Sequence, residues 1–254
     1  MIEFAIETAR AAGSILLEKF GRITSVTKKG DIDLVTEADL ASEAFIIERI
    51  RSHFPKHSIL AEESGASADP GGDPGLKWII DPLDGTTNFA HGYPCFCVTL
   101  ALEHDGEIVL GVTFDPTRDE LFAAERGRGA TLNGKPIRVS ETDDLGNALI
   151  VTGFPYDIKQ RDDFARHLTK MLLGARGVRR DGSAAIDLAY VACGRFDGFW
   201  EEGLNPWDVA AGYLLIEEAG GHVSYYDGSR FSVYRPPILA SNGLIHSQMR
   251  SILN

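Results

Sequence analysis

The stretch Trp78-Ile79-Ile80-Asp81-Pro82-Leu83-Asp84-Gly85-Thr86-Thr87-Asn88-Phe89 constrains the chain more than any other, because it asks for a strand, a turn and a helix start in quick succession. Trp78, Ile79 and Ile80 favour a β-strand, and Pro82 has no N–H to give to a ladder, so the strand is expected to end at Asp81. Open α/β sheets bind their ligands at such carboxyl ends. Asp84-Gly85-Thr86-Thr87 then reads as a helix start, with acids and hydroxyls at cap positions and unpaired N–H groups that attract an anion such as phosphate. Two carboxylates beside an anion site repel each other and the anion. A hard divalent cation resolves the conflict, and magnesium is satisfied by one or two carboxylates together with phosphate and water. A polar turn in which Asp81 and Asp84 merely cap a helix uses the same residue types, so acids elsewhere must decide.

With 25 basic against 37 acidic residues the net charge is −12, which argues against nucleic-acid binding through bulk charge and suits a protein that collects cations. A chain of 254 residues, 44% hydrophobic, can bury a sizeable core as one large domain or two closely packed halves. Its three cysteines, an odd number, argue against a disulfide framework and for a reducing compartment; Cys95, Cys97 and Cys193 are expected to be core thiols. No apolar run approaches the ~18 residues of a membrane span. Met1-Ile2-Glu3-Phe4-Ala5-Ile6-Glu7 carries acids where a secretory signal carries bases, so the expected location is cytoplasmic. The histidines are scattered, without the pairing of a zinc centre, and most are expected at the surface or in loops. No serine sits in a nucleophile elbow, which makes acyl chemistry a poor fit.

Apolar spacing predicts helices over 2–20 and 36–53, with Gly21 and Pro55 as stops. Between them Val26-Thr27-Lys28-Lys29-Gly30-Asp31-Ile32-Asp33 reads as a polar loop. The second helix opens acidically, and Glu37 and Asp39 there complement the helix dipole. A strand over 58–61 delivers Glu62-Glu63-Ser64, and the Gly- and Pro-rich segment 65–75 is expected to be a flexible loop. Strands over 93–102 and 107–114 flank the turn His104-Asp105-Gly106 as a hairpin, with another strand over 120–124. The glycine-spaced run 126–134 lacks the strand-to-helix context of a dinucleotide fingerprint and reads as turns. After a polar join over 140–146, strands (148–152, 178–180, 195–201, 238–240) alternate with helices (157–173, 184–193, 205–219, 244–253).

Acids thus follow strands or open helices at Asp39, Glu62, Asp81, Asp84, Glu201 and Asp208. In this setting the opening stretch resembles the first signature of the inositol monophosphatase family, and Pro206-Trp207-Asp208-Val209-Ala210-Ala211-Gly212 resembles its second. Asp33-Leu34-Val35-Thr36 through Asp39, and Ala61-Glu62-Glu63-Ser64, stand where the family's N-terminal motifs do. The resemblance covers nearly the whole chain. It implies an α/β (α+β) fold, a layered α-β-α-β-α sandwich of the inositol monophosphatase/fructose-1,6-bisphosphatase type. The expected organisation is a single phosphatase domain over 1–254, with a helical and mostly antiparallel half over 1–145 and an α/β half over 146–254.

By the same resemblance Glu62, Asp81, Asp84 and Asp208 are metal ligands with the Leu83 carbonyl, for two or three magnesium ions. Asp39, Glu62 and Thr86 orient or deprotonate the attacking water. Gly85 and Thr86 hold phosphate, Glu201 contacts hydroxyls of the alcohol, and Gly182-Ser183-Ala184 lines that pocket beside Asp84 and Asp208. The Lys28-Lys29-Gly30 loop corresponds to a mobile element. The implied reaction is hydrolysis of inositol monophosphate to inositol and phosphate by direct attack of a metal-activated water, sensitive to lithium, in a homodimer with no direct nucleic-acid or membrane partner. Histidinol-phosphate, fructose-1,6-bisphosphate or nucleotide 3′-phosphatase activity on the same scaffold stays open, as does a regulatory protein-binding role. Ala61 stands where many relatives carry Gly, and Asn205-Pro206 replaces the residues usual before Trp207 in animal enzymes. Neither removes a ligand.

Overall fold

From the N-terminus, α1 (Ile2–Lys19) leads through a ribbon of β1 (Val26–Lys28) and β2 (Leu34–Thr36) into α2 (Glu37–His53). β3 (His57–Ala61), β4 (Gly65–Ser67), β5 (Asp73–Asp84) and the short α3 (Thr86–Ala90) follow. A meander of β6 (Cys97–His104), β7 (Glu107–Asp115), β8 (Glu120–Glu125), β9 (Ala130–Leu132) and β10 (Lys135–Pro136) completes an eight-stranded sheet of order β10-β9-β8-β7-β6-β5-β3-β4. Only its β3–β5 pair is parallel. A second sheet joins β11 (Leu149–Thr152), β12 (Gly177–Arg179), β13 (Gly198–Glu201), β14 (His222–Ser224) and β15 (Ile238–Ser241) in the order β12-β11-β13-β15-β14. Its connections carry α4 (Arg161–Gly174), α5 (Ala184–Ala192) and α6 (Pro206–Glu218), and α7 (His246–Leu253) closes the chain. This computed structural model describes residues 1–22, 26–28, 34–67, 73–154, 161–235 and 237–254. Lys29, Gly30 and Asp33, and with them the moving loop expected there, lie outside the described residues, as does the expected helix start at Asp157.

Side chains alternate across a strand, and that alternation sorts the apolar residues into layers. On β5, Trp78 and Ile80 face a core made with α1 and α2 through Ala9, Leu16, Ile46 and Ile50. Ile79 points the other way, into a core where α5 and α6 (Ile186, Leu188, Leu214, Leu215) are held between the two sheets. The second sheet repeats the pattern: Val151, Phe199 and Ala240 face α5 and α6, while Ile150, Trp200 and Leu239 face Met171 of α4 and Met249 and Leu253 of α7. The result is a mixed α/β fold in five layers, α1/α2, large sheet, α5/α6, small sheet, α4/α7. α5 and α6 are buried on nearly every face, which their uniformly apolar sequences require.

The structure departs from the sequence reading in several places: Val26–Lys28 in the expected polar loop and Ala130–Leu132 in the expected turns are strands, and His222–Ser224 is a strand that no pattern marked. β5 does not stop at Asp81 but runs to Asp84, with a register shift that pairs Asp81 with Thr99 and Asp84 with Cys97. One residue more lies between those pairs on β5 than on β6, a bulge that absorbs Pro82, whose missing N–H would leave a gap in a regular ladder. Within the expected loop 65–75, Gly65–Ser67 turns back to pair with β3 and Asp73 already belongs to β5. Cys193 caps α5 and is half-buried, whereas Cys95 and Cys97 are buried as expected. His246 is buried, not superficial, because it hydrogen-bonds Ser224 and Ser241 of β14 and β15.

Candidate functional site

Three elements, the end of β5 and the starts of α5 and α6, meet at one place. The bulge in β5 turns Asp81 and Asp84 toward the amino end of α6, where Asp208 sits. One carboxylate oxygen from each of Asp81, Asp84 and Asp208 lies within 4.8 Å of the others. Each is anchored by its own backbone. Asp81 accepts the Leu83 N–H at 2.9 Å, and Asp208 accepts the Asn205 N–H at 2.7 Å in a helix cap. Asp84 accepts the Ser183 hydroxyl at 2.6 Å and the Ala185 N–H at 2.8 Å, so the opening of α5 orients an acid carried by the other sheet. Glu62 follows β3, whose Ala61 pairs with Ile80, and its N–H reaches the Ile80 carbonyl at 3.3 Å. This places Glu62 beside Asp81, outside the tight trio.

Burial pushes Asp81 and Asp208 far above the ordinary carboxylate range, helped for Asp81 by the charges of Glu62, Asp84 and Asp208 and for Asp208 by Asp84. Asp84 is raised by burial against the hydrogen bonds from Ser183 and the start of α5. Acids gathered this way do not tolerate full charge without a counter-ion. The donor set is all oxygen, the chemistry of magnesium or calcium rather than of softer metals. The residues therefore fit a hard divalent cation.

A second network adjoins it. Asp39, at the third position of α2, accepts the Thr36 N–H at 2.8 Å and the Thr36 hydroxyl at 2.6 Å with one oxygen. Its other oxygen lies 3.0 Å from the Thr86 hydroxyl, which is also 3.0 Å from the Leu83 carbonyl. Burial raises the Asp39 carboxyl above its usual range in spite of those hydrogen bonds. What looked like a helix-capping acid is a capping acid, and it also holds Thr86. Gly85 precedes α3 with φ of 97°, and a β-carbon there would come within 2.8 Å of the Cys95 carbonyl, so no side chain fits where the chain bends round the site.

A cavity opens from the acid trio, lined by Asp84, Gly85, Gly182, Ser183, Ala184, Glu201 and Asp208, all the residues expected to meet substrate except Thr86. Glu201, at the end of β13, is pushed up to about 8 by burial, with Asp84 adding to the rise and Arg180 opposing it. Gly153, Arg180 and Asp187 line the same cavity, and no sequence pattern singled them out. A β-carbon on Gly153 would come within 1.9 Å of a Glu201 oxygen. Its position just past β11, the same strand-end setting as Glu62 after β3, was the one available signal. Asp187 reads in sequence as a first-turn helix acid. Asn88 ties the walls together, donating to the Cys95 carbonyl at 2.8 Å and the Asp181 carbonyl at 2.9 Å.

The profile of the inositol monophosphatase family matches residues 1–253. An inositol-1-monophosphatase from Synechocystis sp. is 48% identical over 99% of this chain and 88% of its own length. A protein named Nus factor SuhB from Pseudomonas aeruginosa is 45% identical over 95% of this chain and 91% of its own. The crystal structure of the extragenic suppressor protein suhB from Bartonella henselae superposes with a TM-score of 0.95 at 40% identity, covering 99% of this chain and 97% of the other. The signature residues read from the sequence and these whole-length likenesses agree: the chain belongs to the inositol monophosphatase family.

Proposed function

We propose that this phosphomonoester hydrolase requires magnesium and releases inositol and phosphate from an inositol monophosphate. The observation that carries the reading is the convergence of Asp81, Asp84 and Asp208 within 4.8 Å beside a cavity that Asp84 and Asp208 line together with Gly85 and Glu201. Glu62, Asp81, the Leu83 carbonyl, Asp84 and Asp208 would hold two or three ions. When bound, these supply the charge that acidifies water and offsets charge on the departing oxygen. Phosphate monoesters are among the slowest compounds to hydrolyse unaided, with accelerations of up to ~10²¹ known, so that charge is needed beyond mere positioning.

The chain's own groups then do the following. The first N–H groups of α3, at Gly85 and Thr86, lack partners within the helix and receive phosphate oxygens. Thr86 donates its hydroxyl hydrogen to Asp39, which leaves the Thr86 oxygen free to accept from the attacking water and aim it. As water gives up a proton to Thr86, the Thr86 proton passes to Asp39, whose raised affinity suits a general base, and Glu62 assists from β3. Glu201 and Ser183 meet the hydroxyls of the alcohol. The protein is read as one phosphatase unit with halves at 1–145 and 146–254, homodimeric, cytoplasmic and inhibited by lithium.

Phosphate release from inositol 1-phosphate with and without magnesium tests the reading. Wild type should be active only with the ion, and Asp84→Asn should lose at least ~100-fold in kcat. Equal, slow release by both proteins would sink it. Histidinol phosphate, fructose 1,6-bisphosphate and a nucleoside 3′-phosphate in parallel decide between substrates. The likeness to a Nus factor favours one further reading, a protein-binding role beside catalysis, which a magnesium-dead Asp84→Asn chain should retain.

A further inference from the structure

Asp187 lies in the first turn of α5, 1% exposed, and lines the cavity between Ser183 and Glu201. Its Oδ1 is fully enclosed, and among the described residues no hydrogen bond reaches it. The nearest cation, Arg180, is exposed and packs over the ring of Phe154 at 4.9 Å instead of pairing with it. A buried polar atom without a partner is destabilising, so an apolar residue there would serve the fold better. The cavity that Asp187 lines is the side from which a partner can reach it.

We infer that Asp187 is a specificity-determining residue that hydrogen-bonds a hydroxyl of the substrate's alcohol, alongside Glu201. The inference rests on the phosphatase reading above and names the class of alcohol. Among the described residues, Asp84, Glu201 and Asp208 line the same cavity against a single lining cation, Arg180, so a second anionic group would meet more carboxylates than cations. An uncharged, hydroxyl-rich alcohol meets acceptors and donors. Burial, reinforced by Asp181, Glu201 and Asp84, pushes the Asp187 carboxyl well above its ordinary range, and its oxygens are groups with which the hydroxyl of an alcohol can pair.

Two substrates separate this role from a structural one: inositol 1-phosphate, and phenyl phosphate, whose alcohol carries no further hydroxyl. Asp187→Leu, similar in size and relieved of the unpaired oxygen, should melt no lower than wild type. It should raise KM for inositol 1-phosphate about tenfold while kcat/KM for phenyl phosphate stays within about twofold. Asp187→Asn, which keeps a donor and an acceptor, should restore KM to within about threefold. Equal losses on both substrates, or unchanged KM for inositol 1-phosphate, overturn the assignment; a carboxyl that only holds a water gives one of those results. If Asp187→Leu does not fold, Asp187→Ala, which also removes donor and acceptor, carries the same comparison. Wild type that fails to hydrolyse even phenyl phosphate with magnesium overturns the phosphatase reading itself, and this inference with it. Wild-type activity with an indifferent Asp187→Leu overturns the inference alone.

Discussion

Gly153 and Asp39 show how the site depends on single atoms. The Glu201 carboxylate occupies the space that a β-carbon on Gly153 would fill, at 1.9 Å. Gly153→Ala should therefore displace Glu201 and raise KM for inositol 1-phosphate about tenfold, with a smaller effect on phenyl phosphate, as steady-state kinetics would show. Asp39 joins α2 to Thr86 through a hydrogen bond of 3.0 Å. Asp39→Asn is expected to lower kcat by about 10²-fold or more with little change in KM, since the proton acceptor is lost while phosphate binding stays. A drop in KM alone would count against that role. Asp81, Asp84 and Asp208, whose carboxylates the structure brings together, stood out in the sequence because they lie near a strand end or a helix start, settings that short-range patterns reveal. Asp187 was not legible, because its lack of a partner is a property of everything packed around it.

Elements position these atoms, and their caps and cores can be probed separately. Thr36 caps α2 and grips Asp39 at the same time, so Thr36→Ala should cost about 1 kcal/mol of stability and some activity as well, measurable by denaturation and kinetics. At the other end of the chain, α7 docks through His246, whose ring nitrogens lie 2.8 Å from the Ser224 hydroxyl and 2.9 Å from that of Ser241. Burial first, then His222 and Arg250, lower its pKa from 6.5 to about 4. The folded state thus binds the proton less readily than the unfolded one. The contribution is complete above pH 6.5, is lost as pH falls toward about 4, and does not change further below that. Denaturation midpoints of wild type and His246→Gln across that window should converge as pH falls; parallel curves would refute it. The helix and hairpin bounds were readable from periodicity within a few residues. The passage of β5 through Pro82 was not, because a bulge is chosen by the neighbouring strand's register and not by the proline itself.

Across the whole molecule, the acid trio should set a conflict between stability and activity. Asp81 is buried among Glu62, Asp84 and Asp208, so the metal-free protein carries their repulsion. Asp81→Asn, which can keep the Leu83 hydrogen bond, should melt higher than metal-free wild type and be inactive. Magnesium at a hundredfold excess over its Kd should stabilise wild type by about 2.7 kcal/mol and the variant by much less, as thermal melts would show. A variant stabilised as fully as wild type would refute the assignment of Asp81 as a ligand. The sequence by itself determined most of the helices and the longer strands, the two signature segments and the presence of acids able to hold a metal, since these rest on spacing and on side-chain chemistry. Only the tertiary structure decided that Asp208 of α6 meets Asp81 and Asp84 of β5, that Gly153 makes room for Glu201, and that Asp187 faces the cavity unpaired. These are relations between segments far apart in the chain, fixed when the cores on both faces of each sheet close together, and no local pattern encodes them.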